Sequence, residues 1–190
     1  MVRFTFVIFL LFYGYAAIRY HIGADVPIDD WYFILNKSIA WTGFTLVALS
    51  ILKTPTLQKW NLNRRDLGLT GVSFAFMHAV SVLFLFSEEH YSKLFTEHQI
   101  NTQGYIALSL GALSMLIFSF PLIAALKSYP NEAWQFRLGK YGVLVSIFHP
   151  MIIGYSGWLK VVKWPLGMPP ITLLAVLTGI GIWVIRLNRK

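Results

Sequence analysis

Read for hydrophobicity alone, the chain alternates long apolar runs with short polar connections. Six runs stand out, at about 4–20, 34–53, 67–87, 104–126, 138–157 and 170–186. Each comes close to the roughly 20 apolar residues that a helix needs to cross a bilayer. The pattern predicts an all-α integral membrane protein, a six-helix transmembrane bundle forming one domain over residues 1–190. The first run, VRFTFVIFLLFYGYAAIRY, resembles a signal peptide in position only. It has little basic n-region and no clear small-x-small cleavage site, so it is expected to remain as a helix. The connections are short, and none is expected to form a separate soluble domain. Any nucleotide, flavin or water-soluble substrate is then handled at the membrane face or by another polypeptide.

Composition strengthens this picture. Of 190 residues, 56% are hydrophobic and 16% aromatic, the mean hydropathy is +0.60, and only 13% are charged. A soluble domain carries about 25% charged residues, so this chain lacks the polar surface to coat a globule. There is no cysteine, which excludes disulfides, thiolate metal sites, cysteine nucleophiles and c-type haem attachment.

The net charge of +8 changes meaning once its distribution is considered. With a cytoplasmic N-terminus, Arg3, Lys53, Lys59, Arg64, Arg65, Lys127, Arg137, Lys140, Arg186, Arg189 and Lys190 fall inside. Only Arg19, Lys37, Lys93, Lys160 and Lys163 fall outside. The acids run the other way: Asp25, Asp29, Asp30, Glu88, Glu89 and Glu97 are outside, Asp66 and Glu132 inside. This is the positive-inside bias, and it predicts two cytoplasmic termini. The basic excess is a topology signal, reinforced by anionic membrane lipid, and not a nucleic-acid footprint. Trp31, Tyr32, Trp60, Tyr91, Trp134, Trp158 and Trp164 lie near expected helix ends, where amphipathic rings favour the headgroup zone.

Two of the five histidines lie inside apolar runs. His21, His90 and His98 are expected at the surface, in or beside outer connections. His78 follows Arg65 by about 20 Å of helix, and His149 follows Arg137 by about 18 Å, at 1.5 Å per residue. Both helices run the same way, so the two imidazoles are expected at one depth, near mid-membrane. Their helices also share a spacing. Gly68, Gly71, Ala75 and His78 repeat as Gly139, Gly142, Ser146 and His149, positions that share one helical face. One reading is ordinary close packing of membrane helices through small residues. The other is a groove in which Gly71, Ala75, Gly142 and Ser146 make room for a flat cofactor between the two helices. An intramembrane histidine is a functional-site hypothesis with a partner expected. Two ligands are too few for zinc, and no mid-membrane carboxylate completes a proton relay. Two imidazoles do suffice as axial ligands of a six-coordinate haem b with no open position, an arrangement suited to electron transfer. Pro150 frees the Ser146 carbonyl from its helical partner, and that carbonyl is a candidate acceptor for the His149 ring.

The stretch RRDLGLTGVSFAFMH, residues 64–78, resembles the ferric reductase-like transmembrane domain family. Within it, the resemblance is greatest to the haem-binding membrane subunits of bacterial methionine sulfoxide reductase systems. Members open a helix with Arg-Arg-x-Leu-Gly-Leu and place a haem-ligating histidine at the spacing of Arg65 to His78. The resemblance runs through Trp134 and the His149 helix, over about residues 34–187. It implies a six-helix bundle with b-type haem between the third and fifth helices, passing electrons from a cytoplasmic flavin donor towards the outer face. The family also opens its fifth helix with Trp-x-x-Leu-His, where this chain has Leu138 and Gly139.

These readings converge on an electron-transfer component of an oxidoreductase system, with one haem b on His78 and His149. Flavin is then expected at the cytoplasmic face or on a redox partner protein or larger membrane complex. Lys59, Arg64, Arg65 and Lys140 would form a cytoplasmic basic rim, which charge retention alone also explains. The alternative is a structural or assembly subunit of a membrane complex, with a subordinate or absent redox role.

Overall fold

The computed structural model describes residues 1–23, 28–52, 57–58, 61–127 and 133–187. Lys53, Lys59, Trp60, Asp25, Glu132, Arg189 and Lys190 lie outside the described residues. Six long helices follow one another, as the apolar runs predict: α1 Val2–Ala17, α2 Trp31–Ser50, α3 Arg64–Leu85, α4 Thr102–Leu126, α5 Ala133–Trp158 and α6 Ile171–Leu187. A π turn, Ile18–Ile22, extends α1.

Several helices begin before their apolar run does, because polar caps rather than hydrophobic residues start them. The Asn63 side chain accepts from the Arg65 N–H at 2.8 Å, and that of Asn101 accepts from the Gly104 N–H at 2.9 Å. Each satisfies one of the backbone donors that a helix N-terminus leaves open.

Five segments are long and apolar enough to cross a membrane: Val2–Ile22, Trp31–Ser50, Arg64–Leu85, Thr102–Leu126 and Pro165–Leu187. Helix α5 is long enough at 26 residues but less apolar, since Lys140, His149 and Pro150 interrupt it. It nevertheless continues as one helix through Pro150.

Helix α2 is the centre of the bundle. Its buried residues include Ile34, Asn36, Ser38, Thr42, Leu46 and Ala48, so little of it faces outward. It packs most extensively on α3, and also meets α1, α5 and α6, while α4 pairs mainly with α5. Helices α3 and α5, which carry the two interior histidines, share no substantial direct interface among the described residues.

The connection between α3 and α4 has structure that hydrophobic patterning did not predict. A two-stranded antiparallel hairpin, β1 Phe95–Thr96 and β2 Gln99–Ile100, turns through Glu97 and His98. Both turn residues have positive φ, 51° and 63°, the backbone twist that tight hairpins favour. At the same end of the bundle Arg19 is buried and donates to the Met168 carbonyl. That contact and the bond from the Tyr15 hydroxyl to the Pro169 carbonyl (2.7 Å) tie α1 to the segment leading into α6.

Candidate functional site

Both interior histidines are half-buried, and each is held by the helix that precedes its own. His149 Nδ1 lies 2.8 Å from the Ala107 carbonyl oxygen of α4. A carbonyl oxygen only accepts, so the proton sits on Nδ1 and Nε2 carries the lone pair. His78 Nδ1 lies 2.8 Å from Asn36 Oδ1 of α2. The Asn36 amide nitrogen is committed as donor to the Tyr91 hydroxyl at 3.2 Å, which leaves Oδ1 to accept from the imidazole. The same tautomer follows, with a lone pair on Nε2. Neither Nε2 makes a hydrogen bond among the described residues. Metal-ligating histidines characteristically donate the other ring N–H to a carbonyl or carboxylate, which fixes both tautomer and orientation.

The two anchors are built alike. Each acceptor precedes its histidine by 42 residues. One shift of 71 residues carries Asn36 to Ala107, Val47 to Phe118, Gly71 to Gly142 and His78 to His149. The α2–α3 and α4–α5 hairpins are thus two copies of one arrangement, and matched depth follows from the shared register. Along α3, at 1.5 Å per residue, His78 is about 21 Å from Arg64 and about 10 Å from Leu85.

Gly71 and Gly142 take part in close packing within each hairpin. A Cβ on Gly71 would come within 2.6 Å of the Val47 nitrogen and 2.9 Å of the Gly43 carbonyl oxygen. One on Gly43 would come within 2.9 Å of the Ala75 nitrogen. Gly71 and Ala75 therefore serve the close approach of α3 to α2. A Cβ on Gly142 would run into the Phe118 ring of α4. Ser146 bonds back to the Gly142 carbonyl at 2.6 Å. At Gly71 and Gly142 the small face is filled by the neighbouring helix of its own hairpin, where only glycine lets backbone or ring come so close, whereas Gly139 meets nothing within 4 Å. The Ser146 carbonyl does not hold His149; the Ala107 carbonyl takes that place.

Sequence reasoning missed three contributors. Asn36 carried a signal, being an amide within an apolar run, but its partner lies far along the chain. Ala107 acts through its backbone and carries none. Gly111 of α4 lies beneath the His149 ring: a Cβ there would sit 3.2 Å from the ring's Cε1 and Nδ1.

Around Asn36 the polar network extends towards the hairpin end. Burial pushes the Tyr91 hydroxyl up to about 12, and the bond from Asn36 offsets only part of that rise. The Lys37 ammonium lies 4.1 Å from the Phe33 ring centroid and 5.1 Å from that of Tyr20, within cation–π reach. His90, expected at the surface, is instead tucked against Phe33 (ring centroids 5.2 Å apart) with Nδ1 2.9 Å from Ser87 Oγ. The aromatic residues at this end cover it. His98 is exposed as expected and lies 2.6 Å from Glu88.

At the opposite end, a cavity of about 750 Å³ opens between α2, α3, α4, α5 and α6. Arg64, Arg65, Gly68, Gly139 and Arg186 line it, whereas Lys140 does not. Among the described residues no three His, Cys, Asp or Glu side chains gather as a protein-only metal site requires. No protein-family model matches the chain.

Proposed function

We propose that this chain is a membrane electron-transfer subunit that holds one haem b between His78 and His149. The observation that carries the reading is the paired tautomer. Two imidazoles at the same register of the two hairpins each commit Nδ1–H to an oxygen and leave Nε2 as a lone-pair donor. A porphyrin supplies four nitrogens itself, so two such donors complete its iron where a bare metal ion would need more. When bound, the group would supply one-electron transfer with no open coordination position for oxygen.

The chain's own residues perform the rest. Asn36 and the Ala107 carbonyl orient the rings and fix their protons. Gly111 gives the His149 ring room to lie against α4. The hairpin packing of α2 on α3 and α4 on α5 sets both rings at one register.

In this reading all six helices cross a bacterial inner membrane, α5 included, with both termini cytoplasmic. The arginine end then faces the cytoplasm and a flavin-bearing donor, held at that face or on a partner protein, approaches it. The acceptor approaches the β-hairpin end, to which the histidines are nearer. The chain is read as a member of the ferric reductase-like group on the strength of the Arg64–His78 stretch.

One observation favours a second reading, in which the chain is a structural or assembly subunit. Gly71 and Gly142 are taken up by helix packing, as a purely structural bundle would have them. Haem content separates the two. Protein produced with haem available should yield about one b-type haem per chain as its pyridine haemochrome. Protein that is folded, helical and free of haem overturns the redox reading.

A further inference from the structure

The cavity at the arginine end is not part of the histidine site, and its lining is graded. Arg64 and Arg65 stand at the start of α3 and Arg186 in the last turn of α6, all at its mouth. Val72 lies about 12 Å further along α3 at 1.5 Å per residue. With Leu69 and Phe118 it makes the inner wall apolar. The volume, about 750 Å³, lies in the range of sites that enclose a small molecule.

Three features favour negative charge at the mouth. Three arginines, Arg64, Arg65 and Arg186, line the same cavity, and Arg64 and Arg186 stand within electrostatic reach of each other. The side chains are also positioned: Arg64 Nε donates to the Ser50 carbonyl at 2.9 Å, and Arg65 Nη2 donates to the Ala125 carbonyl at 2.7 Å. Arg65 thereby bridges α3 to α4 across the opening while using one of its five N–H donors. Finally, the N-terminus of α3, a helix of 22 residues, directs its partial positive charge to the same place.

An anionic head with an apolar body fits this gradient. We infer that the cavity binds an anionic phospholipid of the surrounding membrane, its phosphate held by Arg64, Arg65 and Arg186 and an acyl chain against Leu69, Val72 and Phe118. Guanidinium matches phosphate in a planar, two-point fashion. A membrane supplies such a ligand without any further partner. The inference is independent of haem and needs only that the bundle lie in a bilayer.

The test uses the full chain, purified in detergent and stripped of lipid. Phosphatidylglycerol, phosphatidylcholine and inorganic phosphate are added separately while thermal unfolding is followed, and retained lipid is counted by native mass spectrometry. Phosphatidylglycerol should raise Tm by several degrees and remain bound at about one per chain; the other two should not. The double variant Arg65→Gln/Arg186→Gln should lose at least tenfold in apparent affinity. Gly139→Leu provides a second arm, because a side chain there meets nothing within 4 Å and projects into the cavity. It should expel the lipid while helical circular dichroism stays that of the parent. Any of three results overturns the inference: no phosphatidylglycerol effect on the parent protein, an undiminished effect in both variants, or the full effect from inorganic phosphate alone.

Discussion

Replacing Asn36 with leucine probes the anchor of His78 with little change in volume. Asn36 is 2% exposed, and its two side-chain atoms hold His78 Nδ1 at 2.8 Å and the Tyr91 hydroxyl at 3.2 Å. Leucine fills similar space but leaves an imidazole N–H and a phenol without their partner. A buried polar group stripped in this way costs about 1–3 kcal/mol, so thermal stability falls whatever the site's purpose. The informative quantity is haem affinity. Removing the group that orients a ligating histidine typically weakens metal binding about 10–100-fold, which is about 1.4–2.7 kcal/mol. Titrating haem into Asn36→Leu apoprotein, followed at the Soret band, should show a loss of that size. The midpoint potential should shift as well, because the hydrogen bond no longer enriches the ring. A variant that is destabilised yet binds haem within twofold of the parent would refute the orienting role, leaving Asn36 as a packing residue.

Other predictions follow from the same contacts. Gly71→Ala should destabilise the bundle by about 1–3 kcal/mol, the usual cost of overpacking, because the new methyl meets the Val47 and Gly43 backbones. Gly139→Ala, in open space, should instead stabilise by up to about 1 kcal/mol through helix propensity; equal effects in a denaturation series would contradict the packing described. At alkaline pH, Tyr91 matters because its folded-state pKa lies above its unfolded value of 10.0, at about 12. The stability it contributes is complete below pH 10 and is lost as pH rises towards 12. Tyr91→Phe should therefore be less stable at pH 8, through loss of the Asn36 bond, but show a flatter decline between pH 10 and 12. An unchanged alkaline slope in fluorescence-monitored unfolding would remove Tyr91 from the account.

The extent to which sequence foretold structure differs between fold and site. Helix number and approximate position were legible because apolar runs of membrane length have few other solutions. Helix starts were less so, since Asn63 and Asn101 begin helices through hydrogen bonds that hydrophobicity does not register. The equal register of His78 and His149 was visible as a repeated spacing of small residues. What that spacing meant was not. A glycine face tells that something approaches closely, not what, and Gly71 turned out to meet Gly43 and Val47 of α2 rather than open space. The anchors were out of reach for a related reason. Asn36 and Ala107 act across 42 residues of chain, and Ala107 contributes only a carbonyl that every residue possesses. His90 shows the converse case: its place in a connection argued for the surface, while Tyr32 and Phe33 from a neighbouring helix cover it.

The central claim is that His78 and His149, and no other histidines, complete the coordination of one haem. The visible spectrum of dithionite-reduced protein tests it most directly, recorded for the parent, His78→Ala, His149→Ala and His90→Ala after production with haem available. The account predicts a sharp low-spin b-type α band in the parent and in His90→Ala, and its loss in each of the other two variants. A band that survives His78→Ala or His149→Ala, or disappears with His90→Ala, would contradict it.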